Sequence, residues 1–170
     1  VVYASNQAHS SIEKGARIAG IKELRLIDVD ECFAMDPAAF ETAVRQDRDN
    51  GLTPIAVVST IGTTGTTAVD PVDTIAEIAI QHGLWHHVDA AYAGSAALVP
   101  DKHNILDGCS QADSLVVNPH KWLFTPFDLS AFYCRHMDVL RSAFSLTPDY
   151  LQTPEAGEVR NLMDTGVQLG

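Results

Sequence analysis

Short apolar runs alternate with helical patterns along most of this chain, and this alternation limits the possible folds more than any other feature. A continuous β-branched run such as residues 55–58 is typical of a strand buried on both faces of a sheet. The sequence therefore predicts an α/β fold with a mostly parallel sheet flanked by helices. Strands are predicted at residues 1–5, 24–29, 54–60, 84–89, 114–118 and 131–135.

Capping patterns predict where the helices between these strands begin. Ser10, with Glu13 three residues later, has the form of a capping box. Aspartate followed by proline predicts two further helix starts, at Asp36 and at Asp70, and a glycine follows each of these helices. The predicted helices cover residues 10–19, 36–51, 70–83 and 137–144.

The charge balance restricts the partners of this chain. Its 170 residues include 11 Lys and Arg against 22 Asp and Glu, a formal net charge of −11, and no segment is rich in Lys or Arg. Nucleic acids and anionic membrane surfaces bind clustered positive charge, so we expect neither as a partner. No apolar stretch approaches the roughly 20 residues that span a bilayer.

Cysteine usage indicates the redox environment of this protein. The three cysteines, at positions 32, 109 and 134, form no Cys-x-x-Cys pair, which favours a reduced, cytoplasmic protein over a disulfide-bonded one.

A strand pattern is already present at residues 1–4, and no terminating pattern precedes residue 170. We therefore expect residues 1–170 to be a fragment, one partial domain truncated at both ends.

Polar residues follow three of the predicted strands, at the point where each strand ends. Residues 60–67 follow one strand, Asp89 closes the next, and residues 118–121 follow the one after. In open α/β sheets, ligands bind outside the carboxyl ends of the strands. The sequence therefore predicts a ligand site at this edge of the sheet.

Lys121 lies in the segment Asn-Pro-His-Lys-Trp, residues 118–122, among apolar residues. Desolvation lowers the pKa of a lysine and makes a neutral amine available for a Schiff base. Asp89, at the end of a buried strand and before small residues, would suit the protonated nitrogen of a flat ligand. The residues alone leave two alternatives open: a lysine that extends to water, and an aspartate that caps a helix.

Two further segments have both a functional and a structural interpretation. Residues 62–67, Gly-Thr-Thr-Gly-Thr-Thr, would line a cofactor or form a loop with side-chain-to-backbone hydrogen bonds, and they lack a nucleotide-binding spacing. His9 precedes a predicted helix and as a lone histidine fits a structural role equally well. A metal site is not expected at His82, His86, His87 and Asp89, because adjacent strand residues point to opposite faces.

Taken together, residues 7–11, 61–64, 87–96, 112–123 and 127–131 resemble the group II pyridoxal-phosphate-dependent decarboxylases, above all the aromatic L-amino-acid decarboxylases. Asn-Pro-His-Lys-Trp and Val-Asp-Ala-Ala-Tyr-Ala-Gly-Ser-Ala are the most specific of these segments, and 32 positions separate Asp89 from Lys121. The resemblance implies the large cofactor domain of fold-type I pyridoxal-phosphate enzymes, which is similar to that of aspartate aminotransferase. It also implies pyridoxal 5′-phosphate as the cofactor.

The resemblance also implies a role for each matching residue. Lys121 would bind the cofactor as a Schiff base, Asp89 would pair with its ring nitrogen, and His9 would stack on its ring. Ala91 would contact the opposite face of the ring. Thr64 would line the pocket and Asn118 would help hold the phosphate. His120 would lie beside the Schiff base.

Tyr150 matches the tyrosine of the family's catalytic loop, here at about residues 146–158. In the family this loop reaches the partner subunit's site, which implies a homodimer. Tyr150, or His9 acting with it, is the candidate proton donor.

The resemblance implies decarboxylation of an aromatic L-amino acid to the corresponding amine and carbon dioxide. Three alternatives remain, and each has its own sequence expectation. An aldehyde synthase of the same family would have phenylalanine in place of Tyr150. A decarboxylase acting on glutamate or cysteine sulfinate would differ around residues 92–95. A non-catalytic paralogue would not need Asp89, Lys121, His9 and Tyr150 in combination.

Replacing Tyr150 with phenylalanine in the full-length protein tests its role as proton donor. Without this donor, the carbanion left by the loss of carbon dioxide would live longer and react with oxygen. We therefore expect product to shift from amine towards aldehyde, ammonia and peroxide. Amine, aldehyde and peroxide are quantified side by side, with Tyr150→Ala as the variant that also loses the covering side chain. Unchanged amine production by Tyr150→Phe, without peroxide, would assign the donor to His9 or His120.

Overall fold

The computed structural model describes residues 1–145 and 165–166. The chain divides into two compact units, Val1–Tyr133 and Cys134–Gly170. The first unit contains nearly all of the sheet. The described helix of the second unit is Met137–Phe144, as predicted. Tyr150 and the predicted catalytic loop, at about residues 146–158, lie outside the described residues.

Six strands form one sheet in the order β2-β1-β3-β4-β5-β6. The four neighbouring pairs from β2 to β5 are parallel, which confirms the predicted mostly parallel α/β fold. Each observed strand falls within its predicted range. The strands are β1 Val2–Ser5, β2 Leu24–Ile27, β3 Ala56–Thr60, β4 Trp85–Asp89, β5 Ser114–Val117 and β6 Ala131–Cys134.

Helices connect the parallel strands, as a parallel sheet requires. Three short 3₁₀ helices, at Ala93–Leu98, Pro100–Leu106 and Cys109–Gln111, follow β4, and sequence reasoning did not predict them. None of the helices in the described part of the chain is long and apolar enough to cross a membrane. The α-helices are α1 Ser10–Ile18, α2 Pro37–Asp49, α3 Val72–His82, α4 Pro119–Trp122 and α5 Met137–Phe144.

The two faces of the sheet have different partners because side chains alternate along each strand. Tyr3 and Val57 point to one face and pack with residues of α2 and α3, such as Phe40 and Ile75, in the largest apolar core. Ala4 and Val58 point to the other face, where α1 covers one end. Asp89 lies on this second face, beyond the part that α1 covers.

Two predicted helix caps differ from the structure. The residue that caps α1 is His9 and not Ser10, because the His9 side chain accepts a hydrogen bond from the backbone N–H of Ser11. Asp70 does not cap α3; its carboxylate points into the core instead and accepts the backbone N–H groups of Met35 and Thr60, each at 2.7 Å. Asp36 does cap α2, as predicted.

His86 is a buried histidine whose titration links folding to pH. Its ring is 1% exposed on the face of α2 and α3, and Nε2 lies 2.7 Å from Ser59 Oγ. Burial lowers the pKa of His86 to about 4, against an ordinary value of about 6.5. The folded protein therefore keeps this ring neutral, while the unfolded chain takes up a proton below pH 6.5.

The free energy of unfolding should consequently fall as pH drops from about 6.5 towards 4, by about 3 kcal/mol from His86 alone. Above pH 6.5 both states are neutral and this contribution is complete. His86→Gln should flatten the pH dependence of the denaturant midpoint in the full-length protein. His103→Gln, at an exposed position, is the matched control and should keep the original slope. An unchanged slope in His86→Gln would contradict the assignment.

Candidate active site

A cavity of about 310 Å³ lies at the edge formed by the carboxyl ends of β3, β4 and β5. It is therefore at the edge where the sequence predicted a ligand site. Of the seven predicted site residues that the structure describes, six line it, although they come from four different segments of the chain. They are His9, Thr64, Asp89, Ala91, Asn118 and Lys121.

Asp89 is the last residue of β4 and is half-buried at the base of the cavity. Its Oδ1 accepts a hydrogen bond from the backbone N–H of Ala91 at 3.1 Å. Oδ2 accepts no hydrogen bond from the residues that the structure describes. This arrangement fixes the carboxylate and leaves one oxygen for a cationic N–H group. Asp89 thus closes a local turn and also faces the cavity, but it does not cap the 3₁₀ helix Ala93–Leu98, which has no side-chain cap.

Lys121 lies in α4, which begins directly after Asn118. The side chain reaches the cavity, but the residue is exposed, and so are Trp122 and Leu123 beside it. The described residues therefore leave Lys121 exposed, and its desolvation in the full-length protein stays a prediction.

Asn118 faces the cavity with a defined orientation of its amide. Its Oδ1 accepts a hydrogen bond from Ser130 Oγ at 2.7 Å, and both residues line the cavity. Because the oxygen is engaged, the Nδ2 amide protons remain to bind an anionic group. Ser130 was not predicted as a site residue, although it lies in one of the segments that carry the family resemblance.

His9 connects the amino-terminal end of α1 to the cavity. Its Nδ1 lies 2.9 Å from Ser11 Oγ and accepts the backbone N–H of Ser11, which orients the ring. His9 is exposed and lines the cavity. The structural and the functional interpretation of this histidine are therefore compatible, since one ring nitrogen caps the helix while the ring itself remains available.

The loop after β3 depends on a glycine at its first turn. Gly62 has a φ of +87°, and a Cβ there would lie 2.5 Å from the Cβ of Ala93. Thr63 is fully buried and its hydroxyl accepts the backbone N–H of Ala68 at 3.0 Å. Thr64 is exposed and faces the cavity. The loop is thus held by Thr63 while Thr64 remains available to a ligand.

Sequence reasoning missed several residues of the cavity wall. His87 had been considered only as a metal ligand, although its position two residues before Asp89 places both side chains on one face of β4. Thr60 is the register partner of Asp89 in the neighbouring strand. Tyr92 lies within the Val-Asp-Ala-Ala-Tyr segment and contacts Trp122 edge to face, with ring centroids 5.2 Å apart.

The structure does not bring His120 into the cavity wall. Its Nδ1 accepts the backbone N–H of Leu129 at 3.0 Å, and its ring contacts Phe127 edge to face at 4.8 Å. These contacts tie α4 to the segment that contains Ser130. Among the described residues, no three His, Cys, Asp or Glu side chains group as metal ligands.

The electrostatics of the cavity suit a flat cofactor with a cationic ring and an anionic substituent. Burial lowers the pKa of His87, and the negative charge of Asp89 opposes that effect. Thr60 is 4% exposed and its hydroxyl has no partner among the described residues, so the cavity wall contains an unsatisfied polar atom. A lysine, a carboxylate, an imidazole and an amide meet at one sheet edge. These features define the cofactor domain of a pyridoxal-phosphate enzyme.

Comparison with known proteins identifies the family. The model of the pyridoxal-dependent decarboxylase conserved domain matches residues 1–170. The chain belongs to this family, which confirms the predicted family and its cofactor, pyridoxal 5′-phosphate.

Three relatives illustrate the similarity. Aromatic-L-amino-acid decarboxylase of Bos taurus is 45% identical over 152 residues, 89% of this chain and 31% of its own length. Histidine decarboxylase of Mus musculus is 39% identical over 169 residues, 99% of this chain and 25% of its own length. The crystal structure of Oryza sativa TDC with PLP and tryptamine has a TM-score of 0.91 and 40% identity, covering 98% of this chain and 36% of that one. The chain thus spans about a third or less of these relatives.

Asp89→Asn should separate the charge of this residue from its shape. The amide can still accept the Ala91 N–H, but it cannot keep a ring nitrogen protonated. Each pKa unit lost at that nitrogen corresponds to about 1.4 kcal/mol, so turnover should fall by several orders of magnitude. Cofactor affinity, measured by titration of the cofactor-free full-length protein, should fall less. Asp101→Asn, at an exposed position, is the control and should keep normal turnover. Near-normal turnover in Asp89→Asn would show that Asp89 has only a structural role.

Proposed function

We propose that the full-length protein is a pyridoxal-phosphate-dependent decarboxylase that converts an aromatic L-amino acid into the corresponding amine and carbon dioxide. The observation that supports this most is the convergence of Lys121, Asp89 and His9 on one cavity in a chain of the decarboxylase family. The aromatic substrate is supported by the relative from Bos taurus and by the rice structure, which contains tryptamine.

The predicted residues of the cavity each have a proposed task. Lys121 would hold the cofactor covalently, and Oδ2 of Asp89 would bind its ring N–H. His9 and Ala91 would lie against the two faces of the ring. When bound, the cofactor supplies the sink for the electrons that remain after carbon dioxide leaves. The chain's own residues therefore bind the cofactor, orient its ring and keep a proton on the ring nitrogen.

Two polar residues of the cavity would help hold the phosphate group. Asn118 is suited to this task because Ser130 occupies its Oδ1 and leaves the Nδ2 protons to donate. The exposed Thr64 hydroxyl is a second polar group at the cavity. His120, which contacts Leu129 and Phe127, would support this wall from behind Lys121.

Tyr150 would donate the proton that completes the amine, and the loop that contains it would serve the partner subunit's site in a homodimer. We further propose a cytoplasmic location. Free thiols at Cys32, Cys109 and Cys134 are consistent with a reducing compartment. Burial together with Asp107 raises the pKa of Cys109 to about 11, so this thiol is protonated at neutral pH.

Histidine is the second candidate substrate. It is favoured by the 39% identity of mouse histidine decarboxylase over 99% of this chain. The described cavity contains the groups that face the cofactor and not those that distinguish one substrate side chain from another. Substrate choice must therefore be measured directly.

The experiment is product analysis of the full-length enzyme with tyrosine, tryptophan, phenylalanine, dopa, histidine and glutamate. We expect amine and stoichiometric carbon dioxide from at least one aromatic substrate, and little from glutamate. Lys121→Ala should abolish amine formation, whereas Lys102→Ala, at an exposed position, should retain it.

Chemical labelling provides the control for the lysine assignment. Borohydride reduction of the unmutated holoenzyme followed by peptide mapping should place the pyridoxyl group on Lys121. A label on Lys102 or Lys14 would contradict that assignment. Decarboxylation of histidine or glutamate in preference to every aromatic substrate would contradict the proposed substrate class.

A further inference from the structure

Lys121 lies in a helix of a single turn that needs support from the rest of the fold. α4 contains four residues, Pro119–Trp122, and Lys121 and Trp122 are both exposed. Isolated helices of this length are not stable in water, so tertiary contacts must hold the turn in place. The position of the Lys121 amine at the cavity therefore depends on the contacts of the residues beside it.

Two contacts join this turn to the loop that follows β4. The backbone N–H of Asn118 donates a hydrogen bond to the carbonyl of Ala91 at 3.3 Å. At the other end of the turn, the Trp122 ring meets the Tyr92 ring edge to face, with centroids 5.2 Å apart and an interplanar angle of 86°. Lys121 lies between these two contacts in the chain. The loop that follows the carboxylate-bearing strand thus also holds the turn that presents the amine.

Tyr92 also lies against the loop that follows β3. A Cβ built on Gly62 would lie 3.2 Å from Cδ1 of the Tyr92 ring, so the ring packs directly beside this glycine. Tyr92 lines the cavity and is 39% exposed. One ring therefore connects three segments that line the cavity: the loop with Thr64, the loop after Asp89 and the turn with Lys121.

We propose that Tyr92 is a positioning residue, which holds the Lys121 amine in place at the cavity through its ring contact with Trp122. This inference rests on the proposed function, because it assigns a task in the same site. Edge-to-face aromatic pairs stabilise beyond the area they bury, by the equivalent of about threefold to tenfold in an equilibrium constant. Without this pair, the turn would place Lys121 at the cavity for a smaller fraction of the time, and the covalent bond to the cofactor would weaken by that fraction.

The test compares two ligands that differ in whether they can bond to Lys121. Cofactor-free full-length protein is titrated with pyridoxal 5′-phosphate and with pyridoxamine 5′-phosphate. The aldehyde of the first condenses with the Lys121 amine and releases water, whereas the second has an amine in place of the aldehyde and cannot. The ratio of the two dissociation constants therefore measures how well Lys121 is placed. A change in the shape of the cavity alone would affect both ligands alike.

Removing either ring, in Tyr92→Leu or Trp122→Leu, should lower the preference for pyridoxal 5′-phosphate by about threefold to tenfold and leave the affinity for pyridoxamine 5′-phosphate unchanged. The double variant should lose no more than either single one, because both changes remove the same contact. Tyr92→Phe keeps the ring and should retain the preference. Phe33→Leu, which removes an exposed aromatic ring outside the cavity, is the control and should match the unmutated protein.

Different outcomes contradict different statements. An unchanged preference in Trp122→Leu, an equal loss of affinity for both ligands, or the same loss in Tyr92→Phe as in Tyr92→Leu would overturn the role of Tyr92 and leave the proposed function intact. Trp122→Leu decides the matter if Tyr92→Leu does not fold, because Trp122 is at the exposed end of the turn. Failure of the unmutated protein to prefer pyridoxal 5′-phosphate over pyridoxamine 5′-phosphate would instead contradict Lys121 as the cofactor-binding lysine of the proposed function.

Discussion

The parallel register of β3, β4 and β5 is the constraint on which the rest of the site depends. It places Thr60, Asp89 and Val116 side by side, one residue from each strand. Because the strands run in the same direction, the loops that follow them open at one edge, and the cofactor-facing groups of those loops meet there. A slip of one residue in β4 would turn Asp89 and His87 towards α2 and α3. The sheet register, more than any single contact, therefore makes the cavity.

Two buried carboxylates connect the strands to other parts of the chain. Asp70 accepts the backbone N–H groups of Met35 and Thr60, so it joins the loop before α2 to the last residue of β3. Burial raises the pKa of Asp70, and the two backbone donors oppose that effect. On the other side of the core, Asp47 accepts the Tyr3 hydroxyl at 2.8 Å and pairs with Arg25. Both carboxylates satisfy polar groups that the apolar core would otherwise leave unpaired.

Periodicity and turn chemistry were sufficient to predict the strands, the longer helices and the edge at which the site lies. They were not sufficient where a side chain chooses between local and distant partners. Either Ser10 or His9 could cap α1, and Asp70 could cap α3 or accept hydrogen bonds in the core. Which contact forms depends on the tertiary structure. The surroundings of Lys121 show the same limit: apolar neighbours in the sequence predict an apolar environment only where they pack around the amine, and among the described residues Trp122 and Leu123 are themselves exposed. The residues that recognise a substrate side chain leave no comparable pattern.

His86 and His87 show how strand geometry separates structure from function in adjacent residues of the same type. Burial lowers the pKa of both rings, and each meets a serine hydroxyl on a neighbouring strand. Alternation then directs His86 into the core, where Ser59 engages its Nε2, and directs His87 into the cavity, where Ser114 engages its Nδ1. The same imidazole therefore belongs to the core at one position and, at the next, to the wall of the cavity that Asp89 also lines.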